Sequence, residues 1–243
     1  MGDSCTLIVT FAPTSKGTFS DTLVLNYNNG RENTSVSLSL SGSSDDVTLA
    51  FSPNTFDFGH ITSHQTVTQS FTVTNSGSKS VNLTSGLSGV SSPISITTST
   101  CTSGSTLTAS GGSCTFTLSF SPTQAGEVAQ NPTLSYTDGV ASKAIPLALS
   151  GTGIQSILSV SGSSSYSFDG VVSGDTSSHT FTLTNSGEAA AVLQTYSNGG
   201  VLGLSAPFSL TGGTCTSGAS IASGASCTLI VTYSPTSNSN ASG

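Results

Sequence analysis

One nine-residue pattern occurs three times in the chain, and this repetition constrains the fold more than any other feature of the sequence. The stretch CTLIVTFAP at 5–13 returns as CTFTLSFSP at 114–122 and as CTLIVTYSP at 227–235, with offsets of 109 and 113 residues. Because self-similarity at a regular spacing indicates repeated structural units, the chain is predicted to contain tandem copies of one fold.

Other segments recur at nearly the same offset and give the length of the repeat. Upstream of the nine-residue pattern they are FDFG (56–59) with FTVTNSG (71–77), and YSF (166–168) with FTLTNSG (181–187). Downstream they are LNY (25–27) with VSLSLSG (36–42), and LSY (134–136) with IPLALSG (145–151). The repeat is therefore about 110 residues long.

The recurring segments alternate apolar and polar residues. Phe116, Leu118 and Phe120 are separated by single threonine or serine residues, and this period of two is typical of a strand with one face on a core and one in water. About seven such strands per repeat, separated by turn signals, predict an all-β chain of tandem immunoglobulin-like antiparallel β-sandwich repeats. We interpret the turn signals as sites that need positive backbone angles; they are Asn-Ser-Gly at 75–77 and 185–187, Asn-Asn-Gly at 28–30, and Asp138-Gly139.

The three copies of the nine-residue strand predict equivalent inward side chains, which should be buried wherever a repeat is complete. They are Leu7, Phe116 and Leu229, then Val9, Leu118 and Val231, then Phe11, Phe120 and Tyr233. Pro146 lies in a predicted strand, and since proline cannot donate to a β-ladder, that strand is expected at a sheet edge or with its nitrogen facing away from a partner.

The repeats predict domain boundaries just after each Leu-Ser-Gly. Residues 44–153 then form a complete Ig-like repeat, which we call the central repeat. Residues 1–43 are the C-terminal part of a preceding repeat. Residues 154–243, the C-terminal repeat, lack the final hairpin.

Composition excludes several classes of protein. Charged residues make up 6% of the chain and the net charge is −7, so no basic patch is available for nucleic acid. No apolar run reaches the roughly 18 to 20 residues of a membrane span, so no membrane insertion is expected in this segment. Hydrophobic residues reach 34% in alternating runs, which favours a folded core over a disordered chain.

Four of the five cysteines occupy equivalent positions in two repeats. Cys101 with Cys114 and Cys215 with Cys227 are each predicted to form a disulfide, which leaves Cys5 unpaired or intermolecular. A metal site or free thiols are the alternative, but zinc ligands usually come as closely spaced pairs, and no histidine lies near either cysteine pair in sequence. Disulfides indicate an oxidising compartment, either outside the cell, at its surface, or in the periplasm.

The repeated motifs resemble the abnormal-spindle/hydin (ASH) class of immunoglobulin-like domains, and more closely the choice-of-anchor D repeats of bacterial surface proteins. The resemblance rests on FDFG at 56–59, FTVTNSG at 71–77, and the strand at 114–122 followed by LSGTG at 149–153. It covers nearly the whole chain, although YSFDG replaces the first motif in the third repeat. The resemblance implies tandem stalks on secreted proteins. It implies no catalytic residues that could be assigned to positions of this chain.

The residues that could take part in catalysis, metal binding or cross-linking do not form a recognisable site in the sequence. His60, His64 and His179 have no equivalents in the other repeat, and we interpret them as surface residues rather than bases or ligands. The alternatives for the other charged residues are a calcium site at Asp57, Asp169 or Asp45-Asp46, and an isopeptide cross-link at Lys79 or Lys143. Turn-capping carboxylates and solvated lysines are the favoured interpretation. The sequence therefore predicts no catalytic residue, cofactor or metal.

Two functions remain open at this point. The first is a non-catalytic stalk, spacer or fibre segment of a secreted or cell-surface protein, with neighbouring repeats of the same or an identical chain as partners. The second is an adhesive module that binds a surface glycan or protein through the loops at 86–93 and 198–207, which differ between the repeats. The absence of Trp weighs against a glycan platform.

The two incomplete ends suggest a specific kind of contact between chains. Residues 17–42 of one molecule could complete residues 157–236 of the next by strand addition, because unfinished sandwiches expose strand edges and apolar core. The strand at 5–13 duplicates the strand at 227–235 and would have to be displaced. This overlap favours the alternative that the chain is a piece of a longer array.

Overall fold

A computed structural model describes residues 4–162, 165–195 and 203–237 of the 243-residue chain. These residues form antiparallel strands and no helix, so the prediction of an all-β fold is confirmed. The strands are β1 Gly17–Asn28, β2 Asn33–Ser44, β3 Leu49–Ser52, β4 Thr55–Thr62, β5 Val67–Asn75, β6 Val81–Ser88, β7 Ile94–Ser99, β8 Thr106–Leu107, β9 Gly112–Phe120, β10 Gly126–Gln130, β11 Thr133–Thr137, β12 Ser142–Pro146, β13 Ala148–Ile154, β14 Leu158–Val160, β15 Ser177–Asn185, β16 Ala191–Val192, β17 Phe208–Gly213, β18 Ser220–Ile221 and β19 Ser226–Tyr233.

The chain divides into two compact units, each assembled from separate stretches of sequence. The first comprises the described residues of Met1–Asp57 together with Thr68–Ser119 and Ala129–Leu149. The second comprises Phe58–Val67, Phe120–Val128 and the described residues of Ser150–Gly243. The repeat boundaries near residues 43 and 153 stay a prediction.

The central repeat contains two four-stranded sheets and a three-stranded one. Their strand orders are β3-β5-β9-β7, β12-β11-β6-β8 and β10-β13-β4. The alternation in the sequence sets which side chains enter the core: Phe71 and Val73 on β5 and Phe116 and Leu118 on β9 are at most 1% exposed. The rings of Phe71 and Phe116 stack with centroids 5.2 Å apart. Every one of the largest fully buried side chains in the described chain lies between Phe71 and Leu147.

The C-terminal repeat reproduces one of these sheets and only part of the rest. The order β14-β15-β19-β17 matches β3-β5-β9-β7, and the pairing of Leu158 with Asn185 matches that of Leu49 with Asn75. A second sheet consists of β16 and β18 alone, which correspond to the start of β6 and to β8. Its core is formed by Ala191, Cys215, Ile221, Cys227 and Leu229.

The N-terminal hairpin, β1 paired with β2, corresponds in sequence to β10 through β13. Val24 faces Ser37 in this hairpin, and the residues 109 positions later, Thr133 and Pro146, face each other in the central repeat. The hairpin keeps one continuous register over 12 residue pairs, whereas the central counterpart divides between two sheets. The same sequence pattern therefore gives the same local pairing in both places.

The prediction of a strand at 5–13 is wrong for this copy. Residues 4–13 have no strand assignment, and Leu7, Val9 and Phe11 are each more than half exposed. The equivalent Phe116, Leu118 and Phe120 are buried in β9, as are Leu229 and Val231 in β19, while Tyr233 is half-buried. The physical reason is that a strand needs neighbouring strands to satisfy its backbone, and these are missing beside residues 4–13 in the described chain.

The turn signals were interpreted correctly in two places and wrongly in two. Gly30 and Gly139 have φ of 85° and 87°, as expected for tight turns. Gly77 and Gly187 do not adopt positive φ; a Cβ at Gly77 would lie 2.6 Å from the carbonyl oxygen of Asp46, and one at Gly187 would lie 2.3 Å from that of Gln155. Glycine is required at these two positions by the close approach of another backbone segment.

Pro146 is the last residue of β12, and β12 is an edge strand of its sheet. Its missing N–H therefore removes no ladder hydrogen bond, in agreement with the prediction. Among the described residues, no helix is long and apolar enough to cross a membrane.

Candidate functional site

The most distinctive side-chain feature of both repeats is a disulfide that closes a short loop. Cys101 follows β7 and bonds Cys114 on β9, with Cα atoms 5.2 Å apart. Cys215 follows β17 and bonds Cys227 on β19, with Cα atoms 5.1 Å apart. All four cysteines are buried. Each bond therefore joins a loop to a core strand in the same place in the two repeats.

The loop held by each disulfide continues into the opposite sheet of its repeat. The N–H of Gly104 donates to the carbonyl of Leu83 at 2.8 Å, and the N–H of Gly218 donates to that of Leu193 at 2.8 Å. Both glycines have positive φ, 85° and 77°, which the Cys-Thr-Ser-Gly sequence supplies without a steric penalty. The disulfide thus anchors the crossover between β7 and β8, and likewise between β17 and β18, to the core.

A buried asparagine in each repeat holds the turn after β5 or β15, and the sequence interpretation missed its role. Asn75 is fully buried; its Nδ2 donates to the carbonyls of Lys79 at 2.8 Å and Leu107 at 3.1 Å, and its Oδ1 accepts the N–H of Gly77 at 3.1 Å. This network satisfies both the side chain and the turn backbone. The recurrence of asparagine at 75 and 185 was the sequence signal that could have indicated this buried hydrogen-bonding role.

Asn185 makes the equivalent contacts in the C-terminal repeat. Its Nδ2 donates to the carbonyls of Ala189 at 2.8 Å and Ile221 at 2.9 Å, and its Oδ1 accepts the N–H of Gly187 at 3.0 Å. Like Asn75, it is 0% exposed. The two repeats therefore share a scaffold of one disulfide and one buried amide, and both groups stabilise loops against the core.

Asp46 joins the segment before β3 to the turn at 76–79. The N–H and the hydroxyl of Ser78 donate to Asp46 Oδ1 at 3.0 and 2.9 Å, and Lys16 Nζ lies 3.4 Å from the same oxygen. The Ser78 N–H and then its hydroxyl lower the pKa of Asp46 from 3.8 to about 2; desolvation opposes them with a smaller effect, and Lys16 contributes least to the lowering. The Asp45-Asp46 pair is thus a structural contact in this structure.

The other candidate side chains make ordinary surface contacts. The N–H of Ala141, then Lys143 Nζ at 2.9 Å from Asp138 Oδ2, and then the N–H of Val140 hold the pKa of Asp138 well below its usual range. Asp138 in turn raises the pKa of Lys143. Asp169 accepts a hydrogen bond from the Ser167 hydroxyl. Lys79 is half-buried beside the Asn75 turn. In the part of the chain that the structure describes, no three His, Cys, Asp or Glu residues converge on a metal position.

The three histidines are placed apart from one another. His60 Nδ1 lies 3.7 Å from Glu188 Oε2, and both side chains are about two-thirds exposed. His64 lies in a turn with φ of 68°, where its N–H donates to the carbonyl of Pro122. The ring of His179 stacks on Tyr166 with centroids 3.7 Å apart. Cys5 carries an exposed free thiol.

The loops proposed for adhesion are described only in part. The loop at 86–93 is fastened by Gln130, whose Nε2 donates to the carbonyl of Ser91 at 2.7 Å and whose Oε1 accepts the Ser91 N–H at 3.0 Å. Residues 198–202 of the second loop lie outside the described residues. The first loop is therefore held in place by a side chain from β10.

Comparisons with known proteins give one family and several distant structures. Residues 47–152 match the family model described as HYDIN/CFA65/VesB-like, Ig-like domain. No curated protein matches the sequence significantly. Among solved structures, a protein of unknown function from Porphyromonas gingivalis W83 aligns with a TM-score of 0.38 and 13% identity, over 76% of this chain and 83% of that one.

Two further structures align over a smaller part of the chain. The VesB protease of Vibrio cholerae has a TM-score of 0.36 and 17% identity, over 44% of this chain and 31% of that one. The ASH/PapD-like domain of human CEP192 (PapD-like domain 7) has a TM-score of 0.34 and 17% identity, over 44% of this chain and 85% of that one. This chain thus spans less than a third of the protease.

The family model agrees with the immunoglobulin-like fold. It confirms the resemblance to ASH-like immunoglobulin domains and suggests a non-catalytic module, while the narrower choice-of-anchor D assignment stays a prediction. Residues 47–152, less than half of the chain, are therefore similar to the immunoglobulin-like domains of the HYDIN/CFA65/VesB-like type, which supports an ASH-like immunoglobulin fold.

Proposed function

We propose that this chain is a non-catalytic structural segment, a stalk, spacer or fibre segment, of a secreted or cell-surface protein of the choice-of-anchor D kind. The observation that carries the proposal is what the repeats have in common. The shared features are the disulfide loop, the buried asparagine and the alternating core, and each of them stabilises the sandwich. Repeats that share a scaffold suit a protein whose task is to span distance.

The disulfides also support the proposed location. Disulfides persist in oxidising surroundings and are rare where thiols are kept reduced. The Cys101–Cys114 and Cys215–Cys227 bonds are compatible with an extracellular, cell-surface or periplasmic protein. Peptide mapping of the native protein without reductant tests this location, and free thiols at all four positions would contradict it.

Mechanical unfolding of the full chain tests the structural role. A load-bearing repeat should unfold in discrete steps, and each step should be shortened by the residues enclosed in its disulfide, which bonds cysteines 13 or 12 residues apart. Reductant should lengthen each step by about 40 Å, since extended chain spans about 3.5 Å per residue. Step lengths that do not respond to reductant would show that the disulfides do not restrain the unfolding chain.

Binding of the full chain to a glycan array tests the competing adhesive role. The structural proposal expects no reproducible binding by the full chain. Binding that disappears when residues 89–93 are replaced by a Gly-Ser segment of equal length, and persists when the turn at 138–141 is replaced in the same way, would favour adhesion and overturn the spacer. The second replacement is a suitable control because both segments lie between strands of the central repeat, and the first replacement leaves the core residue Leu87 on β6 in place.

A further inference from the structure

The segment that joins the central repeat to the C-terminal repeat is very short. β13 ends at Ile154 and β14 begins at Leu158, so only residues 155–157 separate the two strands. The side chains of these residues are exposed and are not packed in a core. We call residues 154–157 the junction segment. Contacts of its backbone, rather than of its side chains, therefore determine where it lies.

Two loops of the central repeat hold the start of the junction segment. The N–H of Ser63, in the loop after β4, donates to the carbonyl of Ile154 at 2.7 Å, and its hydroxyl donates to the same oxygen at 3.1 Å. Gly153 packs against the loop after β9, because a Cβ at Gly153 would overlap the carbonyl oxygen of Gln124 and lie 2.8 Å from Pro122 Cβ. The chain therefore leaves β13 along one path.

The turn after β15 holds the other end of the junction segment. The N–H of Ala189 donates to the carbonyl of Gln155 at 3.2 Å, and the N–H of Ser186 donates to that of Ile157 at 2.8 Å. Gly187 lies between these two donors and is buried. A Cβ there would lie 2.5 Å from the backbone nitrogen of Ile157. The turn and the segment are therefore in direct backbone contact, which leaves no room for a side chain at this position.

The buried asparagine of the C-terminal repeat connects this contact to the core. Asn185 Oδ1 accepts the N–H of Ile157 at 3.1 Å, while its Nδ2 donates to the carbonyl of Ile221 at 2.9 Å. Asn185 is 0% exposed and Ile221 is 4% exposed. Since a buried and satisfied amide is held rigidly, the junction segment is attached to the core of the repeat as well as to a surface turn.

The same contact recurs at the start of the central repeat. The N–H of Ser76 donates to the carbonyl of Thr48 at 2.9 Å, and the N–H of Lys79 donates to that of Asp46 at 3.1 Å. A Cβ at Gly77 would lie 2.6 Å from the same oxygen of Asp46. The segments before β3 and β14 share no residue at matched positions. The contact therefore follows the Asn-Ser-Gly turn and not the sequence of the segment that the turn holds.

We propose that the Asn-Ser-Gly turn at 185–187 is a docking site for the backbone of the junction segment, and that this contact makes the joint between the repeats stiff. A flexible linker needs a stretch of unrestrained residues, whereas both ends of the junction segment are fixed by hydrogen bonds. In a tandem array, each such turn holds the segment that ends the preceding repeat. The stiffness adds to the spacer role proposed above, and the backbone contacts support it independently of that role.

The division of the chain into compact units agrees with a stiff joint. The unit that contains the C-terminal repeat also includes Phe58–Val67 and Phe120–Val128, which belong to the central repeat. These two stretches contain the loops that hold Ile154 and Gly153. The end of the central repeat and the C-terminal repeat are therefore expected to move together.

An exposed ion pair supplies the alternative explanation for a stiff joint. His60 Nδ1 lies 3.7 Å from Glu188 Oε2, and both side chains are about two-thirds exposed. An exposed pair contributes little, because water screens the charges and two long side chains must be ordered. The backbone contact at the buried Gly187 should therefore be the main restraint.

Pulsed electron spin resonance between two nitroxide labels measures the stiffness of the joint in the full chain. The labels are placed at Glu127→Cys and Thr180→Cys in a Cys5→Ser background, since both sites are exposed and lie in the same compact unit. The unaltered joint should give one narrow distance distribution. A broad distribution in this chain would overturn the proposal. It would leave the discrete mechanical unfolding steps unchanged, so the joint and the spacer role can fail separately.

An insertion tests the joint without altering either repeat. Gly-Ser-Gly-Ser between Ile154 and Gln155 lets both ends of the segment keep their hydrogen bonds but uncouples them. The distribution should widen by on the order of 10 Å, because a flexible chain of n residues spans about 5–6 Å × √n. The matched control is the same insertion between Gly139 and Val140, in an exposed turn of the central repeat, which should leave the distribution narrow. A narrow distribution in both chains would contradict a stiff joint.

Two substitutions separate the backbone contact from the ion pair. Gly187→Ala should widen the distribution, because its Cβ would push the junction segment off the turn, and Glu188→Gln should leave it narrow. Hydrogen exchange of β19 shows whether Gly187→Ala unfolds the repeat, and the insertion then decides alone. Widening by Glu188→Gln with no change in Gly187→Ala would assign the joint to the ion pair and overturn the proposal.

Discussion

The central and C-terminal repeats use the same sequence pattern but reach different degrees of burial. Phe71 and Val73 are at most 1% exposed, whereas the equivalent Phe181 and Leu183 are half-buried. Both repeats contain the four-stranded sheet, the disulfide and the buried asparagine. In the central repeat the hairpin of β10 through β13 follows the nine-residue strand, whereas the residues described after β19 form no strand. The local scaffold is therefore common to both repeats, and the deeper burial of the core coincides with the presence of this hairpin.

The largest effect should come from a leucine in the fully covered core. Leu118→Ala should lower the free energy of unfolding of the central repeat by about 2 to 5 kcal/mol, because the side chain is 0% exposed and leaves a cavity. The matched change Leu229→Ala in the C-terminal repeat should cost about 2 kcal/mol or less, because its half-buried neighbours can relax into the space.

Hydrogen exchange followed by mass spectrometry assigns each loss to its own repeat. Peptides from β9 and β19 report the two substitutions separately in the full chain. Equal losses would show that the partial burial around β19 does not loosen the C-terminal core, and a loss below about 0.5 kcal/mol for Leu118→Ala would mean that the register of β9 is wrong.

Removing a disulfide should have the next largest effect, and its cost should be alike in both repeats. The bonded cysteines are 13 and 12 residues apart, and closing a loop of this size contributes about 3 kcal/mol in the chain-entropy model. Replacing both cysteines of a pair by alanine should leave the central repeat folded and open the C-terminal repeat, which buries less core.

Limited proteolysis distinguishes these outcomes. Cleavage within 165–237 should accelerate in the Cys215→Ala, Cys227→Ala chain, while the Cys101→Ala, Cys114→Ala chain should retain a protected core from β5 to β13. Equal resistance of the two variants to protease would argue that the C-terminal repeat is as stable as the central one.

The sequence predicted those parts of the fold that repetition and periodicity encode. Alternation located β5, β9, β15 and β19, and the equivalent cysteines indicated which pairs lie close together. The sequence did not predict that residues 4–13 form no strand, because strand formation depends on distant partner strands rather than on local alternation. The sequence also did not predict the close approach of another backbone segment at Gly77. A glycine in a turn is explained either by a positive φ or by the lack of space for a side chain, and the sequence does not distinguish the two.

The buried asparagines should have an intermediate and similar effect in the two repeats. Asn75→Ala leaves two carbonyls and one N–H without their side-chain partner. Asn185→Ala leaves the equivalent three groups and also the Ala222 carbonyl and the Ile157 N–H. Each substitution should cost about 1 to 3 kcal/mol. Ser76→Ala is the control, because Ser76 is exposed and its hydroxyl makes one long contact of 3.4 Å. Hydrogen exchange of β8 and β18 measures the effect. A much larger loss at one asparagine would contradict the equivalence of the two networks.

The smallest effect should be a pH dependence that only one repeat has. The folded pKa of Asp46, about 2, lies below its ordinary value of 3.8, so the ionised carboxylate stabilises the fold above about pH 3.8. This contribution should be lost as the pH falls through about 2, because protonation removes the acceptor of the Ser78 N–H and hydroxyl. In the C-terminal repeat Gln155 takes the place of Asp46: its carbonyl accepts the N–H of Ala189 as that of Asp46 accepts the N–H of Lys79, and its amide does not titrate.

Exchange rates in the turns at 76–79 and 186–189, measured between neutral pH and pH 2 after correction for intrinsic exchange, should show this difference. The first turn should lose protection and the second should not. Asp46→Asn should remove the pH response of the first turn. Lys16 Nζ lies 3.4 Å from Asp46 Oδ1, and Asp45 Oδ1 lies 3.2 Å from the Ser78 hydroxyl. The response should therefore persist in Lys16→Met and Asp45→Asn chains, since the Ser78 N–H is the main cause of the lowered pKa. Loss of the response in either chain would move the cause from Ser78 to the neighbouring charge.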